Sequence, residues 1–283
     1  MTRRLLLAPF GCTEGTERLL KAVFEVAVEP RDILYLCPSP RRIDQAKGDF
    51  LRLSGRDALV PPRFATLRQL ARDVHDRQGS SRRLPPELKP LLVQRVLTGE
   101  AAGRRPQASS TRPATADSRQ VSIGYARAVA DFIAQIRRYV PAQDRPALNS
   151  RFESLLAGFE KPLARCLDAL AALGKYEAEL TRLNWIDDEG IMAESAQGMS
   201  KDLQPKVLVL DSFVAPDRLE ADLLRALGVG VDWDPAIEAF APRVAPDGST
   251  AIAGLLAAGE VARPVSAAEA ASWGRRAGEV ARG

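Results

Sequence analysis

The segment from Arg4 to Phe24, RLLLAPFGCTEGTERLLKAVF, restricts the possible folds of this chain more than any other stretch. It opens with the apolar run Leu5–Ala8, which has the length of a fully buried strand. A loop with two glycines follows, and from about Thr16 apolar residues recur at helical spacing. A strand, a glycine loop and a helix in this order are the layout of a phosphate-binding loop, in which unpaired N–H groups and the helix N-terminus attract an anion.

The loop lacks the charged residues of the full phosphate-binding motif, G-x-x-x-x-G-K-[ST]. When the motif is aligned on Gly15, its lysine position holds Thr16 and its hydroxyl position holds Glu17. Phe10 occupies the first glycine position, and Gly11 comes one residue late. Because the Glu17 carboxylate would repel a phosphate, the segment predicts one of two things. It is either a degenerate nucleotide-binding loop, with Gly11, Gly15, Thr16 and Glu17 as its residues, or an ordinary turn between a strand and a helix.

Two more strand and helix pairs follow along the chain. The run 33–37 predicts a buried strand, which the turn Pro38-Ser39-Pro40 ends before a helix from about Arg42 to Leu53. Residues 64–66 then lead into a helix over about 67–74. Residues 3–74 therefore alternate between strand and helix three times, which is typical of a parallel sheet.

From Gly79 to about Leu203 the sequence has little strand signal. Apolar residues recur at helical spacing over Glu87–Leu97, with Leu91 on the apolar face, and over 129–140. They do so again over 152–182, which predicts either one long helix or two helices broken near Pro162 or Gly174. Residues 101–118 are rich in Ala, Ser, Thr, Pro and Arg and are predicted to form a loop. We therefore expect an all-helical subdomain inserted into the α/β part.

Sheet character returns with Val207–Leu210, the strongest buried-strand signal in the sequence, and Asp211 follows it directly. The next helix carries leucines on one face and ends at Gly228, and weak helices are predicted at 251–258 and 266–283. The predicted organisation is an α/β domain in two parts, 1–78 and 205–283, separated by a helical insertion over 79–204.

Ligands of open α/β sheets bind at the carboxyl ends of the strands, where we expect the 10–17 loop, the turn at Pro38 and Ser39, and Asp211. An aspartate after an aliphatic strand is the pattern that helps to hold Mg²⁺ in nucleotide motors, although many such residues cap a helix instead. A motor would place a glutamate next, and this chain has Ser212. With both the loop lysine and this glutamate missing, we expect no catalytic residue, no metal site and no ATP or Mg²⁺ cofactor.

Composition excludes several kinds of site. Three scattered cysteines give no disulfide framework and no metal-binding spacing, and a single histidine, His75, rules out a histidine-based metal cluster. His75 is expected to be solvated or half-buried rather than catalytic. A net charge of +4 does not by itself require a nucleic-acid partner. Since no apolar run approaches the roughly 20 residues that span a bilayer, we expect a soluble, cytoplasmic protein with no membrane partner.

Four stretches of this sequence resemble the N-terminal, helicase-like half of the AddB/RexB family. These are the nuclease-bearing B subunits of bacterial double-strand-break processing enzymes, with stand-alone PD-(D/E)XK relatives. The last of the stretches is the most specific, and the four are LLLAPFGCTEGTERLL, ILYLCPSPRR, RFATLRQLARDV and VLVLDSFVAPDRLEADLLRAL. Residues 183–188 and the tail from Ser266 are also similar to helix-forming segments of that family.

The resemblance implies a RecA-like (P-loop NTPase, superfamily-one helicase-like) parallel sheet with a helical insertion subdomain. Thr16 and Ser212 place the chain with the family members whose ATP site has decayed. The implied role is that of a non-catalytic domain of a DNA repair nuclease subunit, which binds single-stranded DNA or serves as a scaffold. The implied partners are single-stranded or double-stranded DNA ends and an AddA-like helicase-nuclease subunit. Because the family's nuclease motifs lie far downstream, the chain is expected to be a fragment, a truncated product or a degenerate homologue.

The resemblance also implies DNA-binding residues at the ends of two strands. Pro38, Ser39, Thr66 and Leu67 match positions at which helicase motifs touch the DNA backbone, and Arg41 and Arg42 are the implied phosphate contacts. Two rival functions stay open: an active ATP-dependent helicase or ATPase with a noncanonical loop, and a pure protein-interaction module.

Overall fold

The computed structural model of the protein describes residues 4–8, 32–54, 61–99, 121–200, 205, 207–211, 216–234 and 239–242. The predictions for Gly11, Gly15, Thr16 and Glu17 lie outside these residues, as do the predicted loop over 101–118 and the predicted helices at 251–258 and 266–283. Within the described residues the protein is a mixed α/β structure, mostly helical, with a small parallel sheet.

The elements of the described residues are, in chain order, β1 (Arg4–Ala8), β2 (Ile33–Leu36), α1 (Pro40–Ser54), β3 (Arg63–Ala65), α2 (Leu67–Gln78), β4 (Arg82–Arg83), a 3₁₀ turn (Pro86–Leu88), α3 (Lys89–Leu97), α4 (Ile123–Tyr139), a second 3₁₀ turn (Ala142–Ala147), α5 (Leu148–Leu155), α6 (Glu160–Leu183), β5 (Trp185–Ile186), α7 (Asp188–Gly198), β6 (Val207–Asp211), α8 (Arg218–Ala226), β7 (Val231–Asp234) and β8 (Ala239–Pro242).

Residue contacts divide the chain into two compact units. The sheet unit comprises residues 1–79 and 192–283, and the helical unit comprises residues 80–191. The sequence placed the end of the helical segment at residue 204, whereas the helical unit ends at Ile191, within α7. No helix in the described part of the chain combines the length and the apolar character needed to cross a membrane.

The sheet unit contains a four-stranded parallel sheet in the order β1-β6-β2-β3. The prediction that residues 5–8 and 207–210 share a parallel sheet is confirmed, because β1 and β6 are neighbours with Leu5 opposite Leu208. Strand β6 lies between β1 and β2, and all five of its residues are buried. A central strand covered on both faces must be apolar throughout, which explains the unbroken Val-Leu-Val-Leu run.

Helix α1 packs an apolar face against the sheet. Ile43, Ala46 and Phe50 are buried in a cluster with strand residues that include Tyr35 and Val209. The helix begins at Pro40, two residues before the predicted start at Arg42, because proline has the backbone angle of a first helical position and its missing N–H costs nothing there.

The helices α2 and α8 of the sheet unit each begin with a capping box. Thr66 and Gln69 exchange hydrogen bonds at the start of α2, and Asp217 and Glu220 do the same for α8. The predicted leucine face of α8 is confirmed, since Leu219, Leu223, Leu224 and Leu227 are all buried. Gly228 ends this segment with φ +89°, a left-handed conformation that favours glycine.

The helical unit buries one apolar core among α3, α4 and α6. Over residues 152–182 the chain forms two helices, but the predicted break near Pro162 or Gly174 is wrong. The chain turns between α5 and α6 instead, where Gly158 has φ +87°. Pro162 lies in the first turn of α6, where its missing N–H breaks no helical hydrogen bond, and Gly174 lies inside the helix.

Two local predictions for the helical unit do not match the structure. Leu91 was expected on the apolar face of α3 but is 50% exposed, because the buried face is centred on Leu92, Val93 and Val96. The segment without strand signal contains two short strands, β4 and β5, which pair in parallel. Strands of two residues are too short to give a period-2 pattern.

Candidate functional site

Asp211 ends strand β6 at the carboxyl edge of the parallel sheet, opposite Ala8 of β1, and it is completely buried. Its Oδ2 atom accepts a hydrogen bond from the Tyr35 hydroxyl at 2.9 Å. The same oxygen accepts a hydrogen bond from Arg42 Nε at 2.9 Å and forms an ion pair with Arg42 Nη2 at 2.8 Å. With Cys37, these residues form the group that we call the Asp211 cluster.

Strand register and a helix cap together assemble the Asp211 cluster. Tyr35 of β2 lies opposite Val209, and side chains two residues apart on a strand share a face, so Tyr35, Cys37 and Asp211 point to the same side of the sheet. Arg42 reaches them from the first turn of α1. Its backbone N–H donates to Ser39 Oγ at 3.3 Å, which fixes the start of that helix.

The Tyr35 phenol and the Cys37 thiol of the cluster both have raised pKa values. Burial, with the Asp211 carboxylate as the next cause, raises the pKa of the Tyr35 phenol. Burial and Asp211 also raise the pKa of the Cys37 thiol to about 12, although the Arg42 charge opposes the shift. Since the thiolate is the reactive form of cysteine, Cys37 is not a nucleophile at neutral pH.

An aspartate after an aliphatic strand helps to hold Mg²⁺ in nucleotide motors, but the residues around Asp211 do not fit a metal ion. Mg²⁺ requires carboxylate and water oxygens at about 2.0–2.1 Å in an octahedral shell. The approach to Asp211 Oδ2 is occupied by two nitrogens of Arg42, and a cation placed there would lie against a permanent positive charge. Among the described residues, no group of three or more His, Cys, Asp or Glu side chains could hold a metal.

The predicted DNA contacts divide into exposed residues and residues with other roles. Pro38 and Arg41 are exposed, and Ser39 is half-buried. Thr66 is only 8% exposed and its hydroxyl accepts the Gln69 N–H, while Leu67 is 2% exposed and belongs to the core. Arg42 pairs with Asp211. Arg41 is therefore the predicted phosphate contact whose side chain reaches solvent without an internal partner among the described residues.

Arg68, which the sequence reasoning missed, is the counterpart of Arg41. Each arginine is exposed and is the second residue of a helix, α1 or α2, that follows one of two adjacent parallel strands. Neither side chain has a hydrogen bond or an ion pair with another described residue. We call this pair the basic edge. The signal was available in the sequence, because each arginine follows shortly after a predicted strand, Arg41 after 33–37 and Arg68 after 64–66.

A second buried aspartate organises the helical unit. Asp187 is 2% exposed and precedes α7, where its Oδ1 accepts the Gly190 N–H at 3.0 Å and so caps the helix. Its Oδ2 accepts from Tyr176 at 3.0 Å and pairs with Lys89 at 3.2 Å. Arg137 donates to the same oxygen.

Glu189, which is 4% exposed, extends this network. It pairs with Lys89 at 2.6 Å and with Arg138 at 2.9 Å. We call Lys89, Arg137, Arg138, Tyr176, Asp187 and Glu189 the Asp187 cluster. Burial alone would raise the pKa of Asp187, but Arg137 and Lys89 outweigh it and lower the pKa to about 2. Cations on α3 or α4 thus compensate each carboxylate, so the cluster links these helices.

His75 is buried on the apolar face of α2, at 5% exposure, so the expectation of a solvated or half-buried side chain is wrong. It lies one helical turn after Ala71, which places it on the buried stripe of the helix. Its Nδ1 lies 3.6 Å from Glu194 Oε2 of α7. The hydroxyl of Ser195 in the same helix donates to the Ala71 carbonyl at 2.8 Å, so this face joins α2 to α7.

Comparison of the sequence with protein-family models and with curated proteins finds no match. A proposal about function therefore rests on the geometry of the sheet edge and on the resemblance of the four sequence stretches.

Proposed function

We propose that the sheet unit is a RecA-like, superfamily-one helicase-like domain that does not hydrolyse ATP and that contacts the backbone of single-stranded DNA. The domain would serve as the non-catalytic helicase-like part of an AddB-type DNA repair nuclease subunit. Its partners would be DNA ends and an AddA-like helicase-nuclease subunit.

Three features of the fold support the RecA-like interpretation. Strand β1 leads into the glycine loop and is the neighbour of β6, which ends in Asp211. The strands that carry the other resembling segments, β2 and β3, belong to the same parallel sheet. The helical unit is inserted between α2 and the return of the chain to the sheet.

The Asp211–Arg42 ion pair supports the loss of ATP hydrolysis. A motor uses this carboxylate to help hold Mg²⁺, and here a guanidinium of the same chain neutralises it. Thr16 and Ser212, which stand in place of the lysine and the glutamate, support the same loss.

The basic edge is the observation that carries the DNA-binding proposal. Arg41 and Arg68 are exposed next to two helix N-termini, and arginine forks and N-terminal N–H groups both bind phosphate. Contacts of this kind position a nucleic-acid backbone and carry no sequence information. We therefore expect binding that is sensitive to salt and indifferent to sequence.

The test is fluorescence anisotropy with a labelled oligothymidylate over a series of salt concentrations. The double variant Arg41→Ala/Arg68→Ala should bind several-fold more weakly, and its log–log salt slope should fall by about 1.4, since each single-strand phosphate contact contributes about 0.7. Arg77→Ala is the matched control, because Arg77 is an exposed arginine in the last turn of α2. Equal losses in both variants, or affinity independent of salt, would refute the proposal.

A further inference from the structure

Helix α6 carries a second apolar face on the side opposite the core of the helical unit. Five apolar residues of the helix belong to that core: Ala169, Ala172, Leu173, Tyr176 and Leu180. On the opposite side, residues without charge recur every three or four positions and form what we call the outer face: Leu163, Leu167, Ala171, Gly174 and Ala178. The two leucines are half-buried, and the other three residues are exposed. An apolar helix face ordinarily packs against another element.

The turn before α6 adds two large apolar side chains at the N-terminal end of the helix. Leu155 is 76% exposed and Phe159 is 62% exposed, the highest values for large apolar residues in the described part of the chain. The turn is held by its backbone, because the Phe159 N–H donates to the Leu156 carbonyl at 2.8 Å and the Leu163 N–H donates to the Phe159 carbonyl at 3.0 Å. Exposed apolar side chains on a fixed backbone are typical of a binding surface.

Gly174 indicates that the partner of the outer face approaches α6 closely. It lies in the interior of a 24-residue helix, where glycine is destabilising relative to alanine. A Cβ at this position would have no atom of the described residues within 4 Å, so packing inside the described chain does not require a glycine. A glycine between Ala171 and Ala178 lets the backbone of a second helix come close.

The charges beside the outer face match a second copy of the same helix. Asp168 and Lys175 lie two turns apart along one edge of this face, and both are exposed. Neither has a hydrogen bond or an ion pair with another described residue. In an antiparallel helix pair, the same edge of both helices meets. If the two-fold axis passes between Ala171 and Ala172, Asp168 of each copy lies opposite Lys175 of the other, and two equivalent ion pairs form.

We propose that the outer face, together with Leu155 and Phe159, is a dimerisation surface on which a second copy of this chain packs its own α6 in antiparallel orientation. A contact made by one helix and one turn of each copy is small beside the roughly 1,200–2,000 Å² of a stable complex, so the dimer depends on protein concentration. Near the helix ends Lys161 lies opposite Arg182, whose charge is already paired with Glu179 of its own chain at 2.6 Å.

The test is sedimentation equilibrium of the full chain at concentrations from about 1 to about 300 µM, where the natural protein should show a monomer–dimer equilibrium. Gly174→Leu should weaken the dimer at least about tenfold, because the new side chain enters the space of the second helix. Within one copy it favours the helix. Gly48→Leu is the matched control, because Gly48 is also exposed inside a helix, α1, and a Cβ there would have no described atom within 4 Å. Its dimer should have the Kd of the natural protein.

A charge exchange tests the antiparallel orientation. Asp168→Lys should weaken the dimer several-fold, because like charges then face each other across the interface. Asp168→Lys/Lys175→Asp should restore the natural Kd, since the two ion pairs form again with their signs exchanged. Asp168 is exposed, so these variants test the surface even if Gly174→Leu does not fold.

Each other result contradicts the inference. A natural protein that is monomeric at every concentration does not bind a second copy through this face, and the face would then belong to a different partner. If Gly174→Leu dimerises as the natural protein does, the dimer uses another surface. If the charge exchange does not restore the Kd, the helices do not pair in this orientation. The inference does not rest on DNA binding, because Arg41 and Arg68 belong to the sheet unit.

Discussion

Asp211 in the sheet unit and Asp187 in the helical unit are surrounded by similar groups. Each is almost completely buried, and each accepts a hydrogen bond from a tyrosine hydroxyl and from an arginine. They differ in position and in charge balance. Asp187 caps a helix, pairs with Arg137 and shares Lys89 with Glu189, whereas Asp211 ends a parallel strand and pairs with Arg42.

This comparison shows that burial and an arginine partner do not identify a functional carboxylate. Asp187 has an obvious structural task, since α3, α4, α6 and α7 all contribute to its cluster. Asp211 caps no helix among the described residues and lies at the ligand-binding edge of a sheet. The two residues have similar immediate partners, and it is their places in the fold that differ.

The largest effect is expected when Asp187 is replaced. Asp187→Asn removes the buried carboxylate that pairs with Lys89 and Arg137, and breaking a buried ion pair in this way costs about 3–5 kcal/mol. The free energy of unfolding can be measured by urea denaturation. The matched control is Asp168→Asn, an exposed aspartate of α6, with an expected change within about 0.5 kcal/mol. Equal changes in the free energy of unfolding for the two substitutions would show that the Asp187 cluster does not stabilise the fold.

A double-mutant cycle at Asp211 should give a different pattern. Arg42→Met removes the cation that pairs with the buried Asp211 carboxylate and should cost about 3 kcal/mol, whereas Arg42→Met/Asp211→Asn should recover most of that loss. The corresponding Arg137→Met/Asp187→Asn pair should not recover, because Lys89 still faces the site. Urea denaturation of all variants tests this prediction. If both double variants recover the lost free energy of unfolding, the two clusters do not differ in this respect.

The smallest of these effects is the dependence of stability on acid. Because the pKa of Asp187 in the folded protein, about 2, lies below its ordinary value, its contribution is fully present above about pH 4. The contribution should be lost as the pH falls from about 4 through 2, and it amounts to about 2 kcal/mol. Denaturation across this range should show a shallower acid loss in Asp187→Asn than in the natural protein. Parallel curves would mean that other carboxylates account for the acid sensitivity.

The sequence predicts the sheet well and the polar clusters poorly. A continuous apolar run as short as 207–210 is typical of a strand that is buried on both faces, so its place in a parallel sheet could be predicted from its length and its hydrophobicity. The helix of Arg218–Ala226 follows from leucine spacing for the same reason. The break between α5 and α6 was predicted at the wrong residues. Glycine and proline both indicate the end of a helix, and the sequence alone does not show which of them lies in a turn and which lies inside a helix.

Hydrophobic patterning in the sequence by itself determined the alternation of strands and helices, the helical segment between them and the burial of β6. Only the tertiary structure decided which charged groups meet: Arg42 with Asp211 across 169 residues, and Lys89 with Glu189 across 100. Apolar burial is a property of each segment and repeats with its local period. An ion pair depends on where two distant segments come together, so it cannot be predicted from local sequence patterns.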